Sequence, residues 1–132
     1  NVAANYIFGL PEDSEKSLKF TYDFAQETNS EMVNFYSAMA YPGSPLFLEA
    51  RKNGIELPST YSGYSQHSYD TLNLSTTKLS ASQILKFRDE AWMKYHTNEK
   101  YLNLIKEKFG QKAVDNIKST TKIKLKRKLL GD

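Results

Sequence analysis

A chain of 132 residues with 39% hydrophobic and 25% charged side chains is long enough for one domain with its own core. No stretch approaches the ~18 consecutive apolar residues of a membrane span, and the first ten residues lack the basic and apolar regions of a secretory leader. The absence of cysteine excludes disulfides, zinc–thiolate sites and iron–sulfur ligation by these residues, and favours an intracellular, cytoplasmic origin. The net charge of +3 is concentrated in Lys118, Lys122, Lys124, Lys126, Arg127 and Lys128, so the rest of the chain is slightly acidic.

Residues 2–9 are mostly apolar or small and end at Gly9, which predicts a short strand buried on both faces. Pro11, Glu12, Asp13 and Ser14 supply a turn and an N-cap, because short oxygen side chains accept the unpaired N–H groups of a helix start. Leu18, Thr21, Tyr22 and Ala25 recur at helical spacing over 15–28, and Asn29-Ser30 closes that helix. "MVNFYSAM", residues 32–39, predicts a second strand with Val33, Phe35 and Ser37 on one face and Asn34, Tyr36 and Ala38 on the other. In "YPGSPLFLEARKNG", Ser44 is placed as an N-cap, Pro45 in the first turn and Gly54 as a left-handed stop, with Leu46, Glu49, Ala50 and Asn53 on one side. Strand–helix–strand–helix with tight connections points to βαβ units, a parallel sheet and an α/β fold.

Residues 55–79 are rich in Ser, Thr and Tyr and poor in charge, with a weak strand signal at 71–74. They predict a long structured loop. Helices follow. Ser80-x-x-Gln83 is a capping box, and Ile84, Phe87, Ala91 and Tyr95 make a stripe to about His96. A second helix starts near Thr97 or Asn98 and stops at Gly110, and a third, with a thin apolar face, is predicted over 111–129. The two histidines, His67 and His96, are not at metal-ligand spacing, and such residues are more often ordinary polar groups than ligands.

The Gly9 turn is the strongest candidate site on spacing alone: a strand ending in Gly permits close approach, and a helix N-terminus offers N–H groups and a positive dipole end. A tight turn without a ligand explains the spacing equally well. Beyond spacing, Asn5-x-Ile7-x-Gly9-x-x-Glu12 resembles the GxIxGxxE motif on a late barrel strand of radical S-adenosylmethionine enzymes, with Asn in place of the first Gly. "GLPEDSEKSL" is similar to that family's Gly-Leu-Pro-Glu helix start, and "YPGSPLF", residues 41–47, to its Tyr-Pro-Gly-Thr-Pro-Leu turn. The two motifs stand in the family's order, with a helix between them.

This resemblance covers about residues 1–54 and implies the late strands of a partial (β/α) barrel, followed by the loop at 55–79 and a helical C-terminal extension at 80–132. "GYSQHSYDTL" and "KIKLKRKLLG" resemble, more loosely, the C-terminal extension of members that carry a cobalamin-binding domain. The resemblance implies S-adenosylmethionine and a 4Fe-4S cluster in the parent enzyme, with cobalamin in that branch. It places Ile7, Gly9, Glu12, Tyr36 and Ala38 at the cofactor, Ile7 against the adenine. The family's CxxxCxxC cluster loop is absent, so the expectation is a C-terminal portion whose partner is the upstream part of the same polypeptide. Alone, it is expected to be inactive and prone to self-association through exposed strand edges.

Tyr41, Tyr64 and His67 are candidate contacts to an unidentified substrate, against the alternative that tyrosine rings pack and expose their hydroxyls. The basic tail supports a competing reading as a non-enzymatic interaction or nucleic-acid-binding domain acting through a basic C-terminal helix. Its lysines are not interleaved with aromatics, and a solvated face is the simpler expectation.

Overall fold

The structure is a computed structural model describing residues 1–132. Two parallel strands, β1 (Ala3–Phe8) and β2 (Met32–Ser37), pair in register from Ala3 opposite Met32 to Phe8 opposite Ser37. Five helices accompany them: α1 (Glu15–Thr28), α2 (Pro45–Lys52), α3 (Ala81–His96), α4 (Glu99–Phe109) and α5 (Gln111–Thr120). Short 3-10 turns lie at Tyr61–Tyr64 and Lys128–Leu130.

Local chemistry sets most boundaries. Ser14 and Ser17 form a reciprocal capping box at the start of α1, and left-handed Asn29 ends the helix. Ser80 and Gln83 do the same for α3, and Asn98 caps α4. Tyr41-Pro42-Gly43-Ser44 has the form of a type II turn: the Ser44 N–H donates to the Tyr41 carbonyl at 3.0 Å, and Gly43 takes φ +87°.

The register puts Ala4, Tyr6 and Phe8 of β1 on the same face as Val33, Phe35 and Ser37 of β2. This face is the core. Phe8 and Phe35 stack at 5.6 Å, Phe87 meets Phe8 edge-on at 5.1 Å, and Tyr95 meets Phe35 at 5.7 Å. Leu18 and Ala25 from α1, Ile84 and Ala91 from α3, and Ile105 and Val114 beyond them complete one cluster. A smaller cluster gathers Ala40, Ala50 and Leu74.

Two expectations are corrected. Strand β1 is buried on one face only: Ala3, Asn5 and Ile7 are exposed, because helices cover just one side of the sheet. The last helix ends at Thr120 rather than 129, so the run from Lys122 to Lys126 is not helical. That run alternates Lys with Ile123 and Leu125, a period of two that suits an extended backbone rather than a helix. The basic C-terminal helix expected from charge is therefore absent. Arg127, counted there as a surface cation, is fully buried.

Candidate functional site

The two strand ends and the turns that follow them carry the candidate residues, and the structure treats each differently. Ile7 and Tyr36 are register partners on the bare face of the sheet, with Ile7 about half exposed and Tyr36 half-buried. One step earlier, the Asn34 amide donates to the Asn5 side-chain oxygen at 3.0 Å, a polar pair on the same face. A small apolar platform next to an amide pair can receive a flat ring with polar edges.

Gly9 meets a packing requirement of its own, whatever else its position suggests. Its φ is +87°, and a Cβ there would lie 2.8 Å from Cγ2 of Ile84. The close approach the glycine permits is thus at least that of α3. The N–H groups of Gly9 and Leu10 both donate to the Asp13 carboxylate, at 2.8 and 3.0 Å. Asp13 also accepts from the Ser17 hydroxyl at 2.7 Å. The turn is thus satisfied internally by Asp13, one of the residues expected to supply the turn and N-cap. The signal was available: an Asp three or four residues after a Gly-Leu pair is within reach of their N–H groups through a local side-chain-to-backbone bond.

Glu12 is exposed. Ala38 is buried, its N–H donating to Phe8 and its carbonyl accepting from Leu74, so its backbone is already committed. Gly9 also lines a cleft of about 210 Å³, walled by Leu46, Glu49 and Ala50 from α2, by Asn53 at the end of that helix and by residues 74–77. These α2 residues are the ones whose spacing marked one side of that helix.

Of the three substrate candidates, the structure brings two together. Tyr41 and Tyr64 stack at 5.9 Å, with Tyr41 half exposed. His67 instead lines a separate groove against α3 and the C-terminal segment. Burial, then Arg88 and Arg127, hold its pKa below the usual histidine value. His96 packs on Trp92 at 4.5 Å and bonds the Trp92 carbonyl through Nδ1, and burial lowers its pKa as well. No three His, Asp or Glu side chains gather in a way that could hold a metal ion, and no helix is long and apolar enough to cross a membrane.

The outer edges of the two strands differ. On β2, Arg88 Nε donates to the Phe35 carbonyl at 2.7 Å. Gln66 accepts from the Ser37 N–H at 3.0 Å and donates to the Ser37 carbonyl at 2.9 Å, and the Leu74 N–H reaches the Ala38 carbonyl at 2.9 Å. Side chains and loop thus occupy the positions that a third strand would take. On β1 the bonds from Met32 to Val2 and from Ala38 to Phe8 turn the even-numbered peptide groups toward β2. The peptide groups of Ala3, Asn5 and Ile7 face outward, and no strand pairs with them. Phe20 and Phe24 on α1 are exposed, and Phe24 meets Tyr6 of β1 at 6.5 Å, so apolar surface continues beside that edge.

Comparison with known proteins gives a local likeness. Over 46 residues the chain is 41% identical to the bacteriochlorophyllide d C-12(1)-methyltransferase of Chlorobaculum tepidum. The match covers 35% of this chain and only 10% of that enzyme. No protein-family profile matches the chain, and no solved structure does.

Proposed function

We propose that this chain forms the late-strand portion of a radical S-adenosylmethionine enzyme, a partial (β/α) barrel, and contributes the adenosine-side wall of the cofactor pocket. The observation that carries this reading is the pairing of Ile7 and Tyr36 on an uncovered sheet face, beside an edge open only at β1. Parallel α/β sheets collect ligands at the carboxyl ends of their strands, where both residues stand. The ordered motif pair, "NYIFGLPE" then "YPGSPLF", and the local likeness to a methyltransferase point the same way.

The residues fit the cofactor in part. Ile7 and Tyr36 suit the flat adenine, and the Asn5–Asn34 pair offers polar groups near its edge. Gly9, with its N–H groups held by Asp13, shapes the turn rather than donating to ligand, and exposed Glu12 lies at the helix start. When bound, S-adenosylmethionine supplies the starting radical through reductive cleavage. This chain's share is to bind the nucleoside and exclude water around it. Nothing here fits a 4Fe-4S cluster, since the chain has no cysteine, and the cluster together with cobalamin, in the branch that uses it, belongs to other parts of the polypeptide. The stacked Tyr41 and Tyr64 would face substrate.

The test uses the full polypeptide and the 132-residue chain side by side. The reading frame upstream of Asn1 should encode CxxxCxxC. In the full polypeptide, Ile7→Asp should raise the S-adenosylmethionine KM by about tenfold or more, the loss expected when a charge faces an adenine ring. The isolated chain should not cleave S-adenosylmethionine. Cleavage by that chain, or a full polypeptide without the cysteine triad, refutes the proposal.

A further inference from the structure

Residues 60–72 form a loop closed near its base, where the Leu72 N–H donates to the Gly63 carbonyl at 2.9 Å. Inside it, the Ser68 hydroxyl donates to the Ser62 carbonyl at 2.6 Å, and Asp70 accepts from the Ser62 and Thr60 hydroxyls at 2.5 and 3.3 Å. These bonds make it one piece, as in compact surface loops whose ends meet. It lies over the end of β2: Gln66 holds the N–H and carbonyl of Ser37, and Tyr64 stacks on Tyr41. None of its side chains belongs to either apolar cluster, so its attachment to the rest of the chain is largely polar.

The other side of the loop is fastened by the last six residues. Arg127 is fully buried, donating to both Asp89 oxygens at 2.9 and 3.0 Å, to the Ser68 carbonyl at 3.0 Å and to the Gln66 carbonyl at 2.9 Å. The Lys128 N–H donates to the Tyr69 carbonyl at 2.8 Å, and the Tyr69 hydroxyl donates to the Asp132 carbonyl at 3.0 Å. Three of the four carbonyls from Gln66 to Tyr69 are thus met by the tail. The tail closes on itself as well, with Asp132 accepting from the Arg127 N–H at 3.0 Å.

Two attachments meet at Asp89 on α3. Arg88 donates to Asp89 at 2.8 Å and to the Phe35 carbonyl at 2.7 Å, which ties α3 to β2. Arg127 ties the loop and the tail to the same carboxylate. Withdrawing Arg127 therefore undoes the second attachment and leaves the first in place. A buried guanidinium also fastens in an all-or-none way, because losing one set of partners strands the charge and its carboxylate. Segments held by polar bonds with little apolar burial open at lower free energy than the core.

We infer that residues 60–72 are a lid over the carboxyl end of β2 and that residues 127–132 are its latch, the two opening together while the strands stay folded. Opening frees the backbone groups of Ser37 and the ring of Tyr41. The inference stands on these contacts and does not rest on the cofactor reading above. Hydrogen–deuterium exchange on the 132-residue chain tests it. In urea below the global transition, residues 60–72 and 127–132 of the native chain should lose protection together, ahead of residues 3–8 and 32–37. Arg127→Met should raise exchange in 60–72 by about tenfold or more and leave that of the two strands unchanged. A lid that opens only with the strands, a lid and tail that open at different urea concentrations, or a lid unaffected by Arg127→Met each overturn the inference. So does a rise in Arg127→Met that is equal in lid and strands, which would make the buried pair a support of the whole fold. The urea series uses the native chain and decides the case even where Arg127→Met fails to fold.

Discussion

At Gly9 two constraints coincide that are usually separable. Its φ of +87° is unfavourable for any residue with a Cβ, and Ile84 fills the space that Cβ would need. Gly43 has the same φ but nothing within 4 Å, so it isolates the conformational cost alone. Gly43→Ala should destabilise by about 1 kcal/mol. Gly9→Ala should cost about 2–4 kcal/mol, the backbone strain plus overpacking against a fully buried isoleucine. Urea unfolding of both variants measures the difference, and adding Ile84→Val to Gly9→Ala should recover part of the steric share. Equal losses at the two glycines would mean that Ile84 moves aside freely. A glycine at the end of a strand is legible in sequence, but what approaches it is not. Here the approaching group is a core residue seventy-five positions away.

The elements show a similar division between what local pattern fixes and what tertiary contact adds. Strands β1 and β2 and helices α1 to α4 were legible because caps and apolar spacing both mark their limits: Ser14, Asn29, Ser44, Ser80 and Asn98 stand at or beside helix ends. The tail was not, because Lys-rich composition suits a helix while the alternation of Ile123 and Leu125 suits an extended chain, and burial of Arg127 decides between them. A long-range pair with the same character fastens α4. Glu31, at the entry to β2, accepts from the Val2 N–H at 2.9 Å and meets the Lys108 ammonium, and the hydroxyl of Tyr101 donates to its carbonyl at 3.1 Å. The Lys108 bond, followed by the Val2 N–H, lowers the Glu31 pKa from 4.5 to about 2. The folded chain therefore keeps Glu31 ionised where an unfolded carboxyl would already be protonated. Its contribution is complete above about pH 4.5 and fades as pH falls toward 2. Urea midpoints of the native chain should drop across that window more steeply than those of Glu31→Gln, which should be weaker above pH 5 and converge with the native chain near pH 2. Parallel curves would remove Glu31 from the acid response.

For the whole molecule, a two-stranded parallel sheet is a small foundation, since isolated strand pairs are marginal and parallel pairing needs cover. Helices cover one face, Arg88 and Gln66 close one edge, and the remaining face and edge stay open at Ala3, Asn5 and Ile7. An open edge flanked by Phe20 and Phe24 is a template for another strand and its helix. In the proposed parent enzyme that strand comes from the same polypeptide; in the 132-residue chain alone, a second copy is the available substitute. Light scattering at rising concentration should then show self-association. The alternating ladder permits a sharp control. The Asn5 N–H points outward, so Asn5→Pro removes an edge donor and the side-chain bond from Asn34 but leaves the backbone bonds to β2 in place, whereas Tyr6→Pro strikes the ladder itself. Asn5→Pro should give a folded monomer, and Tyr6→Pro should lose the fold. Association that persists in Asn5→Pro would move the contact to another surface, and a native chain that stays monomeric at high concentration would show that the open edge is protected by its own neighbours.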